Sequence, residues 1–297
     1  MSIIEKAAGR LDRSKVEKPP VHEVNETFER HDAVEAAAAG YAPARDVMPE
    51  ARQPSGQPSR RVEINLEQLH RLGMVTPEGG RTTVAEEFRM IKRPLIKHAF
   101  NKTDIGNRHN NLIMVTSALP GEGKTFCAIN LAMSIAMEMD HTVLLIDADV
   151  ARPSVPRYLG IDASEGLMDV LLNDKLDLSD VMLRTNVDTL RLVPAGQSHK
   201  NSTELLASLA MSNLLDQIAR RYPDRIVIFD SPPLLMTTEA KVLASHMGQV
   251  VVVVEAETTT QHAVKDALRQ LGSDNNVSLI YNKTSAFVGN NYGYGYN

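Results

Sequence analysis

The sequence contains one cysteine, Cys127, in 297 residues, so it cannot form an intramolecular disulfide. Its N-terminus lacks the basic residues, long apolar run and small-residue cleavage site that together mark a secretory leader. We therefore expect a reducing, intracellular setting. The longest fully apolar runs, such as Val250 to Val254, are far short of the ~20 residues needed to cross a bilayer. Any membrane association is expected to be peripheral or through a partner.

The chain also has no excess of positive charge. Its formal net charge is -5 and its pI is near 6.0, which argues against nonspecific binding of nucleic acid. Its hydrophobic content is 43%, and this is enough to bury the core of at least one globular domain.

Composition divides the chain into four regions. Residues 1–17 carry apolar side chains at helical spacing with charged residues between them, which predicts a short amphipathic helix. That helix is either a frayed terminus or a docking helix for a membrane-bound partner. Residues 18–81 contain most of the early prolines and little apolar periodicity, so we expect a mostly disordered linker. An ordered domain is expected over 82–286, followed by a flexible tail, 287–297.

From Thr82 onward, helix and strand signals alternate, and this pattern is typical of an α/β fold with a doubly wound, mostly parallel sheet. The two clearest predicted helices are Val84–Phe100 and Thr125–Met139. The predicted strands are continuous apolar runs, which indicates that helices cover both faces of the sheet. These strands are Asn111–Ser117, Thr142–Asp147, Thr189–Val193, Arg225–Asp230, Gln249–Glu255 and Val277–Tyr281.

A phosphate-binding loop follows the first strand, in the stretch SALPGEGKTF. It matches the pattern GxxxxGK[ST] except that Ala118 replaces the first glycine. Loop amides and the N-terminus of the following helix would face an anion, while Lys124 would reach the β and γ phosphates and Thr125 would bind Mg²⁺. A merely structural glycine turn is the alternative. The predicted ATP-binding residues here are Pro120, Gly121, Glu122, Gly123, Lys124, Thr125 and Phe126.

Carboxylates end two of the predicted strands. Asp147 and Asp149 follow the second strand, and Asp230 ends RIVIFD, as a Walker B aspartate does. Asp149 must lie on the turn after its strand to share a site with Asp147, because alternate strand residues point to opposite faces. We expect these three carboxylates to hold Mg²⁺ or to accept a proton, together with catalytic Lys124. The alternative is that Asp149 and Arg152 cap the next loop, and that Asp230 caps a helix.

Three further residues are candidates for binding the nucleotide. Arg152 follows the paired aspartates, and Asn282 and Lys283 end the last predicted strand. An Asn-Lys pair at a strand end can pack around the nucleotide base, although such a pair is also common in turns.

The sequence ends NNYGYGYN, so Tyr292, Tyr294 and Tyr296 are separated by glycines in a segment that cannot form a core. A flexible tail would let these tyrosines enter a catalytic cleft one at a time. A solvated low-complexity end is the alternative. Beside an ATP site, a cluster of phosphoacceptors is the better explanation.

From about Thr82 to Asn297, these motifs together resemble the cytoplasmic domain of bacterial tyrosine kinases, P-loop enzymes of the MinD/ParA-like class. The DADVARPS form and the GYGY tail are similar to the tyrosine autokinases of exopolysaccharide and exosortase loci. The resemblance implies Mg²⁺- and ATP-dependent autophosphorylation of the tail, with Asp147 as the base for the tyrosine hydroxyl. The family pattern DxDxR places arginine at position 151, where this chain has Ala151, followed by Arg152.

The family also carries ExxRxxR on the first helix, which packs between the subunits of a ring. Glu86 and Arg89 match that pattern, whereas Lys92 occupies the third place and lacks arginine's planar fork. A solvated helix face is the alternative for these residues. The implied partners are a transmembrane polysaccharide copolymerase that activates the kinase, further copies of the chain in a ring, and an opposing tyrosine phosphatase. The implied location is the inner face of the cell membrane.

Two other functions compete with a kinase. Positioning ATPases of the ParA and MinD type share the fold but carry a signature lysine early in the phosphate loop, where this chain has Leu119 and Pro120. A nucleotide-binding scaffold without kinase activity is the other possibility, and the intact Lys124, Thr125 and Asp230 argue against it.

Overall fold

The computed structural model describes residues 60–100, 109–163, 165–221, 224–272 and 276–284. The predicted helix over residues 1–17, the predicted linker up to residue 59 and the tail tyrosines Tyr292, Tyr294 and Tyr296 lie outside the described residues. Everything that follows concerns the described part of the chain.

One seven-stranded sheet forms the centre of the domain, with strand order β3-β4-β2-β5-β1-β6-β7. All neighbouring strands pair in parallel except β3 and β4, which are antiparallel. The predicted doubly wound, mostly parallel α/β fold is therefore confirmed. The strands are β1 (His109–Ser117), β2 (Thr142–Asp147), β3 (Leu183–Arg184), β4 (Leu190–Val193), β5 (Arg225–Asp230), β6 (Met247–Glu255) and β7 (Asn276–Asn282).

Helices cover both faces of the sheet, which explains why the central strands are apolar along their whole length. The first four helices are α1 (Leu66–Arg71), α2 (Thr83–Ala99), α3 (Lys124–Ala136) and α4 (Val155–Leu159), and they pack on one face. The other face carries α5 (Leu167–Leu172), α6 (Leu178–Val181), α7 (Ser202–Leu206), α8 (Leu209–Arg221), α9 (Thr238–His246) and α10 (Gln261–Gln270).

Two helix starts show how the local sequence sets the structure. Helix α2 begins after Thr82, whose hydroxyl accepts a hydrogen bond from the Ala85 amide at 3.1 Å. Helix α3 begins at Lys124 directly after Gly123, and no side chain caps it. Its first amides are therefore available to a bound anion.

The prediction of a disordered linker is wrong for residues 62–76, because this stretch packs against the domain core. Val62, Ile64, Leu69 and Met74 are buried together with α2 and α3. Asn65 caps α1 by accepting a hydrogen bond from the Gln68 amide at 2.9 Å. The burial of these apolar side chains offsets the entropy cost of ordering a segment with few regular elements.

This segment is also bonded to the sheet and to α3. The Val62 amide donates to the Arg184 carbonyl at 2.8 Å, next to the short strand β3. The Val75 amide donates to Asn130 Oδ1 at 2.6 Å, and Asn130 lies on α3. The folded domain therefore begins about twenty residues before the predicted boundary at Thr82.

Among the described residues, no helix combines the length and apolar character that crossing a bilayer requires.

Candidate active site

The candidate site lies at the carboxyl ends of β2, β5 and β1, which are adjacent in the sheet. Asp147 and Asp230 are register partners at the ends of β2 and β5, and the phosphate loop follows β1. The fold thus brings together three motifs that are far apart in the sequence. They border a cleft of ≈ 400 Å³ lined by Pro120, Gly121, Gly123, Lys124, Thr125, Phe126, Asp149, Ala151, Arg152, Ser154, Arg157, Tyr158, Pro232, Pro233, Met236 and Thr237.

The phosphate loop depends on two glycines with left-handed backbone angles. Gly121 has φ +88° and Gly123 has φ +95°, and other residues rarely adopt such angles. A Cβ atom on Gly123 would also lie only 2.0 Å from Asn282 Nδ2. Position 123 therefore requires glycine for both its conformation and its space.

Lys124 and Asp149 form an ion pair inside the cleft, with Nζ 2.7 Å from Oδ2. Burial alone would lower the pKa of Lys124, but the carboxylates of Asp230 and Asp149 outweigh it and raise the pKa above its usual value. The lysine is therefore firmly protonated. A positive charge is thus held where phosphates of a nucleotide are expected.

Thr125 and Asp230 provide the features of an Mg²⁺ site. The Thr125 hydroxyl donates to Asp230 Oδ2 at 2.7 Å, while Asp230 Oδ1 is buried without a hydrogen-bond partner. Burial raises the pKa of Asp230 to about 7, and the charge of Lys124 offsets only part of this effect. A buried carboxylate oxygen with no partner suits a cation. These two residues therefore fit Mg²⁺.

The described residues do not form a complete metal cage. Within them, no group of three or more His, Cys, Asp or Glu side chains converges well enough to hold a metal ion. Mg²⁺ is commonly bound by one or two carboxylates together with substrate phosphates and water. Thr125 and Asp230 would therefore hold Mg²⁺ together with nucleotide phosphates and water.

Asp147 is fully buried and organises the turn after β2. Its Oδ2 accepts hydrogen bonds from the amides of Ser154 at 2.9 Å and Val155 at 3.0 Å, and its Oδ1 accepts one from the Asp149 amide at 3.2 Å. Burial raises the pKa of Asp147 to about 6, and the amides of Val155 and Ser154 oppose this rise. The side chain is not among those that line the cleft, unlike Asp149.

Glu122 is not among the residues that line the cleft. The residue is 2% exposed, and its carboxylate accepts hydrogen bonds from the Leu119 amide at 2.5 Å, the Glu255 amide at 3.4 Å and the Thr259 hydroxyl. The side chain predicted to bind ATP therefore connects the loop to the end of β6.

Asn282 and Lys283, here called the loop clamp, hold the same loop from the end of β7. Asn282 Nδ2 donates to the Glu122 carbonyl and Lys283 Nζ to the Gly121 carbonyl, both at 2.8 Å. Lys283 also lies 3.0 Å from the Glu255 carboxylate. Contact with a nucleotide base stays a prediction for these two residues, whose observed contacts are with the phosphate loop itself.

The structure adds cleft residues that sequence reasoning missed. Arg157 and Tyr158 come from α4, and Met236 and Thr237 follow the Pro232–Pro233 turn. The only sequence signal was their proximity to the DADVARPS and DSPP stretches, since neither group forms a motif. Arg152 lines the cleft, and its amide donates to Asp149 Oδ1 at 3.1 Å, while its contact with a nucleotide stays a prediction.

The three predicted subunit-contact residues differ in exposure and in their ion-pair partners. Glu86 and Arg89 form an ion pair at 2.7 Å on the outer side of α2. Lys92 is only 5% exposed, pairs with Glu138 at 2.6 Å and donates to the Ser134 carbonyl. Lys92 faces inward because α2 packs this side on α3. A role for the three in subunit contacts stays a prediction, and Lys92 is the least available of them.

A family model agrees with this geometry. Residues 110–279, more than half of the chain, match the family described as AAA domain. This range contains the phosphate loop and all three aspartates.

Curated relatives narrow the family further. The chain is 35% identical over 144 residues to the tyrosine-protein kinase ptk of Acinetobacter johnsonii, covering 48% of this chain and 19% of that protein. It is 34% identical over 182 residues to the tyrosine-protein kinase YwqD of Bacillus subtilis (strain 168), covering 61% of this chain and 73% of that protein. The chain spans only 19–25% of the length of four such relatives, so it corresponds to one part of those longer proteins.

A solved structure agrees with these relatives. The BceF tyrosine kinase domain is 26% identical and has a TM-score of 0.58, with 74% of this chain and 91% of that chain covered. The fold, the phosphate loop with its aspartates, and the similarity to YwqD lead to the same result. The chain belongs to the bacterial tyrosine kinase family.

Proposed function

We propose that this chain is an Mg²⁺- and ATP-dependent protein-tyrosine kinase that phosphorylates Tyr292, Tyr294 and Tyr296 of its own tail. The observation that carries the proposal is that a protonated lysine, Lys124, lines the same cleft as Thr125, whose hydroxyl is bonded to the buried Asp230. Phosphoryl transfer requires mainly positioning and charge stabilisation, and this set of groups supplies both.

ATP binding would use the backbone of the phosphate loop. The first amides of α3 and the left-handed Gly121 and Gly123 present N–H groups to the β and γ phosphates. Lys124 would leave Asp149 to contact those phosphates, because a phosphate carries more negative charge than one carboxylate. The nucleotide thereby replaces an ion pair that already holds the lysine in place.

Thr125 and Asp230 would hold Mg²⁺, with Asp147 and Asp149 as further candidates through water. When bound, the ion neutralises charge on the β and γ phosphate oxygens. The buried, unpartnered Asp230 Oδ1 supports this assignment.

In the transfer step, the phenolic oxygen of tyrosine forms a bond to the γ-phosphorus, and the bond from that phosphorus to the β,γ-bridging oxygen breaks. ADP leaves with the bonding electrons. The phenolic proton passes to a carboxylate, and we propose Asp147, whose pKa of about 6 suits a base near neutral pH. Asp149 lines the cleft whereas Asp147 does not, so variants of both residues are needed to test the assignment.

In its cellular setting, the kinase is proposed to regulate synthesis or export of an exopolysaccharide. By resemblance, a transmembrane polysaccharide copolymerase would activate it and keep it at the inner face of the membrane. Further copies would assemble into a ring through Glu86 and Arg89, and a tyrosine phosphatase would reverse the reaction. Low activity is expected for the isolated chain.

The test is to incubate the chain with Mg²⁺ and ATP, with and without the cytoplasmic segment of a copolymerase, and to map phosphosites by mass spectrometry. Phosphate on Tyr292, Tyr294 or Tyr296 is expected, and Lys124→Met is expected to remove it. The control is a triple Tyr→Phe tail, which should keep ATP binding. ATP hydrolysis without tail phosphate, even with the partner segment, would instead indicate a ParA-type switch. Nucleotide binding without hydrolysis would indicate a scaffold.

A further inference from the structure

Resting on the proposed kinase function, we propose that Tyr158, Pro232, Pro233 and Met236 form a seat for the aromatic ring of the acceptor tyrosine. These four residues are called the apolar wall. They line the same cleft as Lys124 but are far from it in sequence. The seat would make the site selective for tyrosine and would place the phenolic oxygen at the γ-phosphate.

The apolar wall contains one exposed hydrophobic side chain that lines the cleft. Met236 is 61% exposed at the cleft, although a long apolar side chain normally gains from burial. Tyr158, which lines the same cleft, is half-buried, and Pro232 and Pro233 are buried. A ligand ring laid on this surface would remove the exposed methionine from water.

The position of the wall favours the acceptor over the nucleotide base. Pro232 and Pro233 follow Asp230 by two and three residues, and Tyr158 lies on α4, whose first residue, Val155, is bonded to Asp147. The wall is therefore built on the ends of β5 and β2, where the Mg²⁺-binding and Walker-type carboxylates lie. Mg²⁺ held there would neutralise the terminal phosphates, so the wall would lie at the γ end of the site.

Hydrogen bonds hold the backbone of the apolar wall in place. The Thr116 hydroxyl donates to the Pro232 carbonyl at 2.8 Å, and the Met236 amide donates to the Pro233 carbonyl at 3.2 Å. The Arg157 guanidinium lies 5.8 Å from the centre of the Tyr158 ring, within the range of a cation–π contact. A preformed surface of this kind costs little ordering when a ligand binds.

The chemistry of the wall matches an aromatic ring. Methionine sulfur makes favourable contacts with ring edges, and proline and tyrosine rings offer flat apolar faces. A tyrosine hydroxyl also extends several ångströms farther from its backbone than a serine hydroxyl does. A serine resting on the wall's outer rim would therefore fall short of the γ-phosphate.

The experiment uses the full chain with Mg²⁺ and ATP, and a peptide of residues 290–297, NNYGYGYN, as the acceptor. Met236→Ser is expected to raise the KM for the peptide about tenfold, as the loss of apolar contacts in a pocket does, with the KM for ATP unchanged. Met236→Leu should restore most of the affinity because its volume and polarity are similar. Met139→Ser is the matched control, since Met139 is 98% exposed and lies beyond the opposite end of α3.

The following outcomes decide the proposal. A wild-type peptide KM in Met236→Ser, or an equal rise in Met139→Ser, overturns the seat while the kinase function stands. If the wild type transfers no phosphate, the kinase proposal fails, and the seat is judged by the dissociation constant of the peptide for the Mg²⁺–ADP protein. In that case, binding weakened by Met236→Ser supports the seat, whereas absent binding, or binding that Met236→Ser leaves unchanged, overturns it.

Discussion

Lys124 Nζ lies 2.7 Å from Asp149 Oδ2, so the cation expected to contact phosphates already has a carboxylate partner. The pair keeps a long, flexible side chain directed into the cleft. A nucleotide must therefore compete with Asp149 for the lysine. A substitution of either residue also removes the ion-pair partner of the other.

Asp149→Asn should therefore separate nucleotide binding from catalysis. Without Mg²⁺, its affinity for ADP should rise about tenfold, because an amide competes less for Lys124 and repels phosphate less. Phosphoryl transfer with Mg²⁺ should fall at least a hundredfold if Asp149 serves the metal or the proton. Calorimetry with ADP and phosphotransfer assays measure the two effects. Asp266→Asn, which makes the same charge change on α10, should alter neither, and unchanged ADP affinity in Asp149→Asn would contradict the competition.

Gly123→Ala should destabilise the domain and abolish nucleotide binding. A left-handed non-glycine residue costs about 1–2 kcal/mol, and the new Cβ would also clash with Asn282 Nδ2. Gly73→Ala is the control, because Gly73 has φ +72° with no atom within 4 Å of the added Cβ. Urea denaturation should show a larger loss of unfolding free energy for Gly123→Ala than for Gly73→Ala. Equal losses would mean that the clash with Asn282 is absorbed without cost.

The metal-free domain should lose stability as pH rises from about 4 to about 7. The pKa of Asp230 is about 7 and that of Asp147 about 6 in the folded protein, above the 3.8 of an ordinary aspartate. Between these values the folded state binds more protons than the unfolded state, so raising the pH favours unfolding. Asp230→Asn removes one of these groups, and its free energy of unfolding should depend less steeply on pH. Adding Mg²⁺ and ADP should flatten the wild-type profile, and parallel profiles for wild type and variant would contradict the prediction.

Lys92 should affect the stability of the folded domain, whereas Arg89 should affect association between subunits. Glu138→Gln leaves the buried Lys92 without its counter-charge and should cost about 1 kcal/mol, a modest value because Glu138 is half-exposed. The Lys92 ammonium also holds the pKa of Glu138 below its usual value, so this contribution should disappear as pH falls through that pKa. Thermal melting measures the stability that the Lys92–Glu138 pair contributes.

Arg89→Ala should instead leave the melting temperature nearly unchanged and reduce the oligomer mass measured by light scattering. A lower oligomer mass for Glu138→Gln would contradict the intramolecular role of Lys92.

The phosphate loop and the aspartates could be predicted because they are short motifs at the ends of strongly apolar strands. The strands themselves were predicted within a few residues for the same reason. Such local signals do not depend on distant contacts.

Other features depend on contacts that no local pattern records. Residues 62–75 were expected to be disordered, yet Val62 and Met74 find apolar partners across the domain. The two-residue strand β3 is too short for any periodicity. Met236 reaches the cleft only because the Pro232–Pro233 turn directs the chain there, and the orientation of Lys92 depends on how α2 packs on α3.

The loop clamp has a practical bearing on how the domain is shortened. The family match ends at residue 279, whereas Asn282 and Lys283 support the carbonyls of Glu122 and Gly121. A protein cut at the family boundary would lose this support together with the tail, so its inactivity would say nothing about the tail tyrosines. A cut after Asn291 keeps both clamp residues and removes only residues 292–297, which carry the tail tyrosines, so it separates a damaged enzyme from a missing substrate.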